Sequence, residues 1–301
     1  MSEITTDLPV AELTTTVPAA APAMRWPLAK LLRPKQWIKN GFVLAPLVFA
    51  GVFTQPAMIG RALAATALFC LAASMVYILN DLCDLEKDRA HPKKRLSRPL
   101  AAGAVSPRTA KWVMGGIGLV LLAGFAWSPT VMAVIGAYLA INVAYSFKLK
   151  HQPVVDLFCV ASGFVLRIVA GAFALAVPVT SWMLITTLCL ALYLATIKRR
   201  QELVASGDTG RAVLGAYTVG LLDRYAEMSA VGAIVFYSLF TMTVKPALAY
   251  TVPCVLFGLF RYWFLVERGD GESPTDVVWT DWPLGLTVAT WAGLCLFALA
   301  R

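Results

Sequence analysis

Runs of apolar residues long enough to cross a bilayer, separated by short polar stretches, set the rhythm of this chain. They fall near residues 40–57, 60–80, 110–127, 129–147, 154–177, 180–197, 225–243, 246–266 and 283–300, which predicts nine transmembrane helices and an all-α polytopic membrane protein. The first run is the most interrupted. Pro46 and Pro56 break or end it, and the segment ahead of it, Arg25 to Lys39 with Trp26 and Trp37 among cations, has an interfacial character. Residues 1–24 are rich in Thr, Ala and Pro, lack both a basic start and an apolar core, and read as a disordered tail before a single membrane domain over 25–301.

Composition agrees with this pattern: 59% of the 301 residues are hydrophobic and only 14% charged, with a mean hydropathy of +0.71, too little polar surface to cover a soluble globule. The net charge of +9 is read from its distribution and not as a sign of nucleic acid binding. With nine spans, one side of the membrane carries Arg25 to Lys39, Lys87 to Lys111, Lys148, Lys150, Lys198 to Arg200, Arg211, Arg224 and Arg268; the other carries only Arg61, Lys245 and Arg301. The positive-inside rule makes the first side cytoplasmic and predicts a multi-pass protein of the inner, or plasma, membrane. External turns such as Trp127 to Thr130 are a few residues long, so the polar chemistry collects on the cytoplasmic face around a polar cavity. That asymmetry favours an enzyme with a water-soluble substrate over a transporter, which needs polar features reaching both sides. The six cysteines are scattered without a metal or disulfide spacing, and His91 and His151 are solitary, so neither is assigned to a metal.

The densest candidate chemistry is Asn80-Asp81-Leu82-Cys83-Asp84-Leu85-Glu86-Lys87-Asp88, where the second span gives way to charge. If the helix continues, Asn80, Asp84 and Asp88 fall at i, i+4 and i+8 on one face, with Asp81 beside it. An oxygen-only cluster of this kind suits a hard cation such as Mg²⁺ together with substrate phosphates. The plainer reading is a solvated end to a transmembrane helix. Between Arg89 and Pro99 come five cations, of which Arg95 and Arg98 are the stronger phosphate candidates because a guanidinium fork binds phosphate bidentately. A basic cluster holding anionic lipid headgroups is the alternative.

Two more constellations leave the membrane on the same side. Tyr145 to Asp156, containing Lys148 and Lys150, turns from the fourth span into the fifth, and Arg167 lies three turns further along that helix. The two residues are about 16 Å apart, too far for Asp156 to pair with Arg167, so Arg167 is expected to face a wet cavity or an anionic ligand. After the sixth span stands Lys198-Arg199-Arg200-Gln201-Glu202, where Lys198 and Glu202 make either a surface i,i+4 pair or part of the site. The acidic, Gly/Pro-containing connection from Glu267 to Asp281 reads equally as a lid or as a plain solvated link.

The motif Asn80-Asp81-x-x-Asp84-x-x-x-Asp88 at the end of the second of nine helices resembles the first aspartate-rich motif of the UbiA prenyltransferase superfamily. Leu32-Arg33-Pro34-Lys35-Gln36-Trp37-Ile38-Lys39-Asn40, the Asp88-Arg89-x-His91-Pro92-x-Lys94-Arg95 continuation, Tyr145-Ser146-x-x-Leu149-Lys150 and Arg261-Tyr262 through Pro283 resemble its phosphoribosyl branch, the decaprenyl-phosphate phosphoribosyltransferases. The resemblance implies a UbiA-like bundle and an Mg²⁺-dependent membrane glycosyltransferase. It would move 5-phosphoribose from phosphoribosyl diphosphate (PRPP) to a polyprenyl phosphate, with inversion at C1 and release of diphosphate, in supply of envelope polymers. It implies Asn80, Asp84 and Asp88, assisted by Asp81, as the metal-diphosphate site. Lys35, Arg95, Arg98, Lys148, Lys198 and Arg199 are implied as phosphate ligands, Asp156 and Glu202 as contacts to a second metal or to ribose hydroxyls, and Tyr145 and Arg167 as further substrate-binding residues. Two features depart from the pattern. Prenyl-diphosphate users carry a second aspartate-rich motif where this chain has Lys198 to Glu202, and the Lys94-to-Pro99 stretch is one residue longer than the branch pattern. The competing functions are an aromatic prenyltransferase and a non-catalytic transporter or scaffold. Oligomerisation is compatible with either.

Overall fold

The computed structural model describes residues 25–92, 94–206, 212–269, 277–278 and 280–300; the tail expected over 1–24 and most of the Glu267-to-Asp281 connection lie outside them. Among the described residues eight helices are long and apolar enough to cross a bilayer. In chain order the α-helices are α1 (Pro27–Leu32), α2 (Ala45–Phe49), α3 (Pro56–Cys83), α4 (Leu85–Ala90), α5 (Lys94–Ser97), α6 (Pro107–Trp127), α7 (Pro129–Phe147), α8 (Val155–Leu175), α9 (Ser181–Ser206), α10 (Val219–Thr243), α11 (Val252–Glu267) and α12 (Trp282–Leu299). Their starts follow local rules. Pro stands in the first turn of α3, α6 and α7, and Ser106, Ser128, Thr218 and Asp281 accept backbone N–H bonds as caps.

The ninth expected span is the exception. In place of a long α-helix, Pro34–Leu44 forms a 3₁₀ helix that runs into the five-residue α2. Pro46 has no N–H to offer the Phe42 carbonyl, which is bonded instead by Ala45, three residues on. At ~2.0 Å rise per 3₁₀ residue and ~1.5 Å per α residue the two pieces still extend about 30 Å, the thickness of the hydrocarbon core. Their contacts follow α3 along its length: Trp37 Nε1 bonds Ser74 near one end of α3, while Leu47 packs with Ala62 and Met58 near the other. Gly51, at φ 75°, then closes α2 with a Val52 N–H to Leu47 carbonyl bond and turns the chain into α3.

Each long helix packs on the next from α6 through α12; α3 packs on α6, and α12 meets α2, so the bundle closes on itself. α8 is the most enclosed member and touches α3, α7, α9 and the first crossing. Its small residues permit this. A Cβ added to Gly171 would lie 2.0 Å from the Val43 carbonyl oxygen, so only glycine lets the first crossing approach so closely.

Candidate active site

Among the described residues the ionised clusters gather at one end of the bundle, where α3, α7, α9 and α11 finish and α8, α10 and α12 begin. α3 stops at Cys83; Asp84 takes φ −97°, ψ 10°, outside helical geometry, and α4 restarts at Leu85. This break corrects the expectation of a single carboxylate face, because Asn80, Asp84 and Asp88 do not ride on one straight helix. Asp81 and Asp88 are brought together instead, bridged by Nη1 of Arg98, which lies 3.0 Å from Asp81 Oδ1 and bonds Asp88 Oδ2. Arg98 reaches them because α5 folds the basic run back over the end of α3. Lys94 adds a weaker contact of 3.9 Å to Asp88.

Asp84 points elsewhere, to Lys150 Nζ at 3.2 Å, and its side chain remains 32% exposed. Asn80 Oδ1 accepts a hydrogen bond from Ser146. Arg33, held at φ 52° between α1 and the 3₁₀ helix, donates to Asp81 Oδ1 at 2.5 Å and lies over the Tyr77 ring at 5.0 Å. Asp81 is fully buried, and its second oxygen, Oδ2, has no hydrogen-bond partner. Arg33 and Ser146 were not singled out from the sequence as site residues, although both lie inside quoted motifs.

The second cluster is closed. Asp156 is 0% exposed and receives Arg199 Nε on Oδ2 at 2.8 Å and the Tyr217 hydroxyl on Oδ1 at 2.7 Å. Arg199 also donates to Glu202 Oε2 at 2.5 Å and to the Tyr145 hydroxyl at 3.2 Å, so each of its three guanidinium nitrogens is engaged. Arg199 is thus bonded to protein acceptors, and each oxygen of Asp156 receives one protein donor. Burial pushes the Tyr217 phenol above its ordinary range, so its proton stays available to Asp156. Arg200 links Asp223 and Glu267 at 2.5 and 2.6 Å, and Arg261 grips Asp281 at 2.7 Å, which ties α9, α10, α11 and α12 together at the same end.

Arg167 is a further correction. It is buried, not cavity-facing: Nε donates to Asn40 Oδ1 at 2.8 Å, Nη1 to the Gly163 carbonyl at 2.7 Å, and the Phe69, Tyr138 and Phe164 rings surround the guanidinium at 4.9 to 5.4 Å. These acceptors and π faces offset the cost of a cation at this depth and pin the first crossing to α8. Lys35, Arg95, Lys148 and Lys198 are exposed at the same end of the bundle. Deeper in the membrane, a cavity of about 150 Å³ lies between the first crossing and α8 to α12, lined by Phe42, Phe49, Ile168, Tyr237, Phe240 and Trp291.

A hard cation suits the first cluster by donor chemistry. The available groups are oxygens, and Asp81 Oδ2 is an acceptor with nothing to accept. Among the described residues no three His, Cys, Asp or Glu side chains converge into a ready-made cage. Mg²⁺ ordinarily takes one or two carboxylates and completes its shell with water and substrate phosphates, so a partial protein shell is the arrangement that ion uses.

Comparison with known proteins is consistent with this architecture. The chain is 34% identical over 287 residues to a decaprenyl-phosphate phosphoribosyltransferase of Mycolicibacterium smegmatis, covering 88% of this chain and 90% of the relative. It is 35% identical over 277 residues to the protein of the same name from Mycobacterium tuberculosis, covering 88% and 91%. Its fold is similar to that of a UbiA homolog from Archaeoglobus fulgidus bound to DMAPP and Mg²⁺, with a TM-score of 0.70 at 20% identity over 91% of this chain and 99% of that one. Residues 42–282 match the UbiA prenyltransferase family, and with relatives this similar along nearly its whole length the chain belongs to that family.

Proposed function

We propose that this protein transfers 5-phosphoribose from PRPP to a polyprenyl phosphate of the decaprenyl type, giving polyprenyl-phosphoryl-5-phosphoribose and diphosphate, at the cytoplasmic face of the plasma membrane. The observation that carries the reading is the match, over about nine-tenths of both chains, to relatives named for that transfer. The end of α9 supports it as well, since Arg199 is bonded to both Asp156 and Glu202 where a prenyl-diphosphate user would carry a second acidic motif.

The residues divide the work by charge. Asn80, Asp84 and Asp88, with Asp81 assisting, would hold Mg²⁺ against the donor's diphosphate. When bound, that ion neutralises charge on the leaving group. Arg33, Arg98, Lys94 and Lys150 stand around the same carboxylates and bind the remaining phosphate oxygens, with Lys35, Arg95, Lys148 and Lys198 drawing anions to the entrance. An acceptor phosphate is anionic at pH 7, so it attacks ribose C1 without a general base. The new C1–O bond forms as the bond to diphosphate breaks with its electron pair, and displacement from the opposite face inverts C1 from α to β. The prenyl chain runs into the apolar cavity beside Phe42 and Trp291.

The test is labelled PRPP supplied to membranes containing the protein and polyprenyl phosphate. Labelled lipid is expected, lost on chelation of divalent cations and restored by Mg²⁺. Intact protein that labels no lipid across several prenyl lengths overturns the proposal, and label passing from a polyprenyl diphosphate to an aromatic acceptor replaces it with the prenyltransferase alternative.

A further inference from the structure

Within the closed cluster the backbone holds one strained turn. Val154 takes φ 67°, ψ −47°, and the Val155 N–H bonds the Pro153 carbonyl at 2.8 Å across it. This is a γ-turn of the rare positive-φ kind, which a β-branched residue adopts only where its surroundings impose it. The Val154 side chain is itself 39% exposed, so packing of that side chain does not supply the constraint. Tyr217 does. Its hydroxyl accepts the Val154 N–H at 2.6 Å while donating to Asp156 Oδ1 at 2.7 Å, so one oxygen fastens both sides of the turn from 63 positions along the chain.

The turn closes the Lys148–Pro153 connection between α7 and α8. That connection carries Lys150, whose Nζ reaches Asp84 at 3.2 Å and so links this loop to the acidic end of α3. A hydroxyl in the closed cluster thus fastens one end of the connection that carries a cation of the open one.

We propose that Tyr217 is a positioning residue for the diphosphate site: by holding the γ-turn at Val154 it fixes the α7–α8 connection and keeps Lys150 beside Asp84. The identity of the ligand rests on the phosphoribosyl-transfer reading, whereas the tether itself does not. Tyr217 is buried behind Asp156 and acts through Lys150.

Three variants of the full chain test this: Tyr217→Phe, Val154→Gly, and the two combined. Without substrate, backbone hydrogen exchange over residues 149–158 rises about tenfold in Tyr217→Phe, because the Val154 N–H loses its acceptor. In the lipid-labelling assay the same variant raises KM for PRPP by about tenfold while kcat stays within about threefold. Val154→Gly alone stays near wild type, and added to Tyr217→Phe it restores most of the KM, since glycine adopts positive φ without the tether. A purely structural tyrosine would lower kcat and thermal stability together and would gain nothing from the glycine. Unchanged exchange in Tyr217→Phe, or a KM that the glycine leaves unrestored, overturns the proposal. If wild-type protein labels no lipid from PRPP, the phosphoribosyl reading fails, and the exchange comparison alone decides the tether.

Discussion

The acidic cluster at the end of α3 and the cluster around Asp156 use the same residue types at the same end of the bundle, yet they are completed differently. Around Asp156 every ionised group is matched inside the protein: Arg199 meets Asp156, Glu202 and Tyr145, and Tyr217 takes the remaining carboxylate oxygen. Around Asp81 the matching stops short. Arg33 and Arg98 crowd onto one oxygen and leave the other bare, Asp84 stays partly in solvent, and both guanidiniums keep N–H groups to spare. A closed network gives rigidity, whereas an open one keeps capacity for a ligand. Charge alone does not distinguish the two clusters; unspent hydrogen-bonding capacity does.

The two clusters therefore fail differently. Arg199→Ala has the largest expected effect on folding, about 3–5 kcal/mol of destabilisation, because it strands the Asp156 carboxylate in the interior. Thermal unfolding in detergent measures it, and adding Asp156→Asn recovers part of the loss by removing the stranded charge. Asp84→Asn reverses the pattern: turnover falls by about 100-fold or more while the unfolding midpoint barely moves. A large drop in that midpoint would erase the difference between the clusters. Arg98→Lys comes next, since an ammonium that takes the place of Nη1 between Asp81 and Asp88 lacks the further planar N–H groups with which a guanidinium grips a phosphate, and KM for PRPP rises by about tenfold. Arg95→Ala is the smallest. Its side chain is exposed, so KM shifts by about twofold and the shift fades at high salt.

Hydropathy and the positive-inside pattern are properties of each segment, and for that reason the eight long helices and the shared end of their polar connections were legible from residues alone. The first crossing was not. Its 3₁₀ geometry depends on Pro46, on the close approach to Gly171 and on the Arg167–Asn40 bond, partners more than a hundred positions away. The acidic motif stands at the end of α3, where the hydropathy pattern puts it, but the break at Asp84 and the return of α5 decide which carboxylate meets which cation. Of the two arginines singled out in the basic run, one turns inward and one outward, a distinction set by a four-residue helix that no periodicity announces. Tyr217 left no trace in the sequence: a single tyrosine before a threonine cap has no local signature, and its role exists only through Val154 and Asp156.

The first crossing also bears on how the chain enters its membrane. Lys35, Gln36, Lys39 and Asn40 lie within its first seven residues, a composition that partitions poorly from the insertion machinery on its own. What makes this segment acceptable in lipid is supplied later in synthesis: the α3 hydroxyl of Ser74 for Trp37, and the α8 guanidinium and Gly171 notch for Asn40 and Val43. The partners of this first crossing are therefore complete only after six further helices, α3 to α8, have been made, so translation order and assembly order run in opposite directions at this end of the protein.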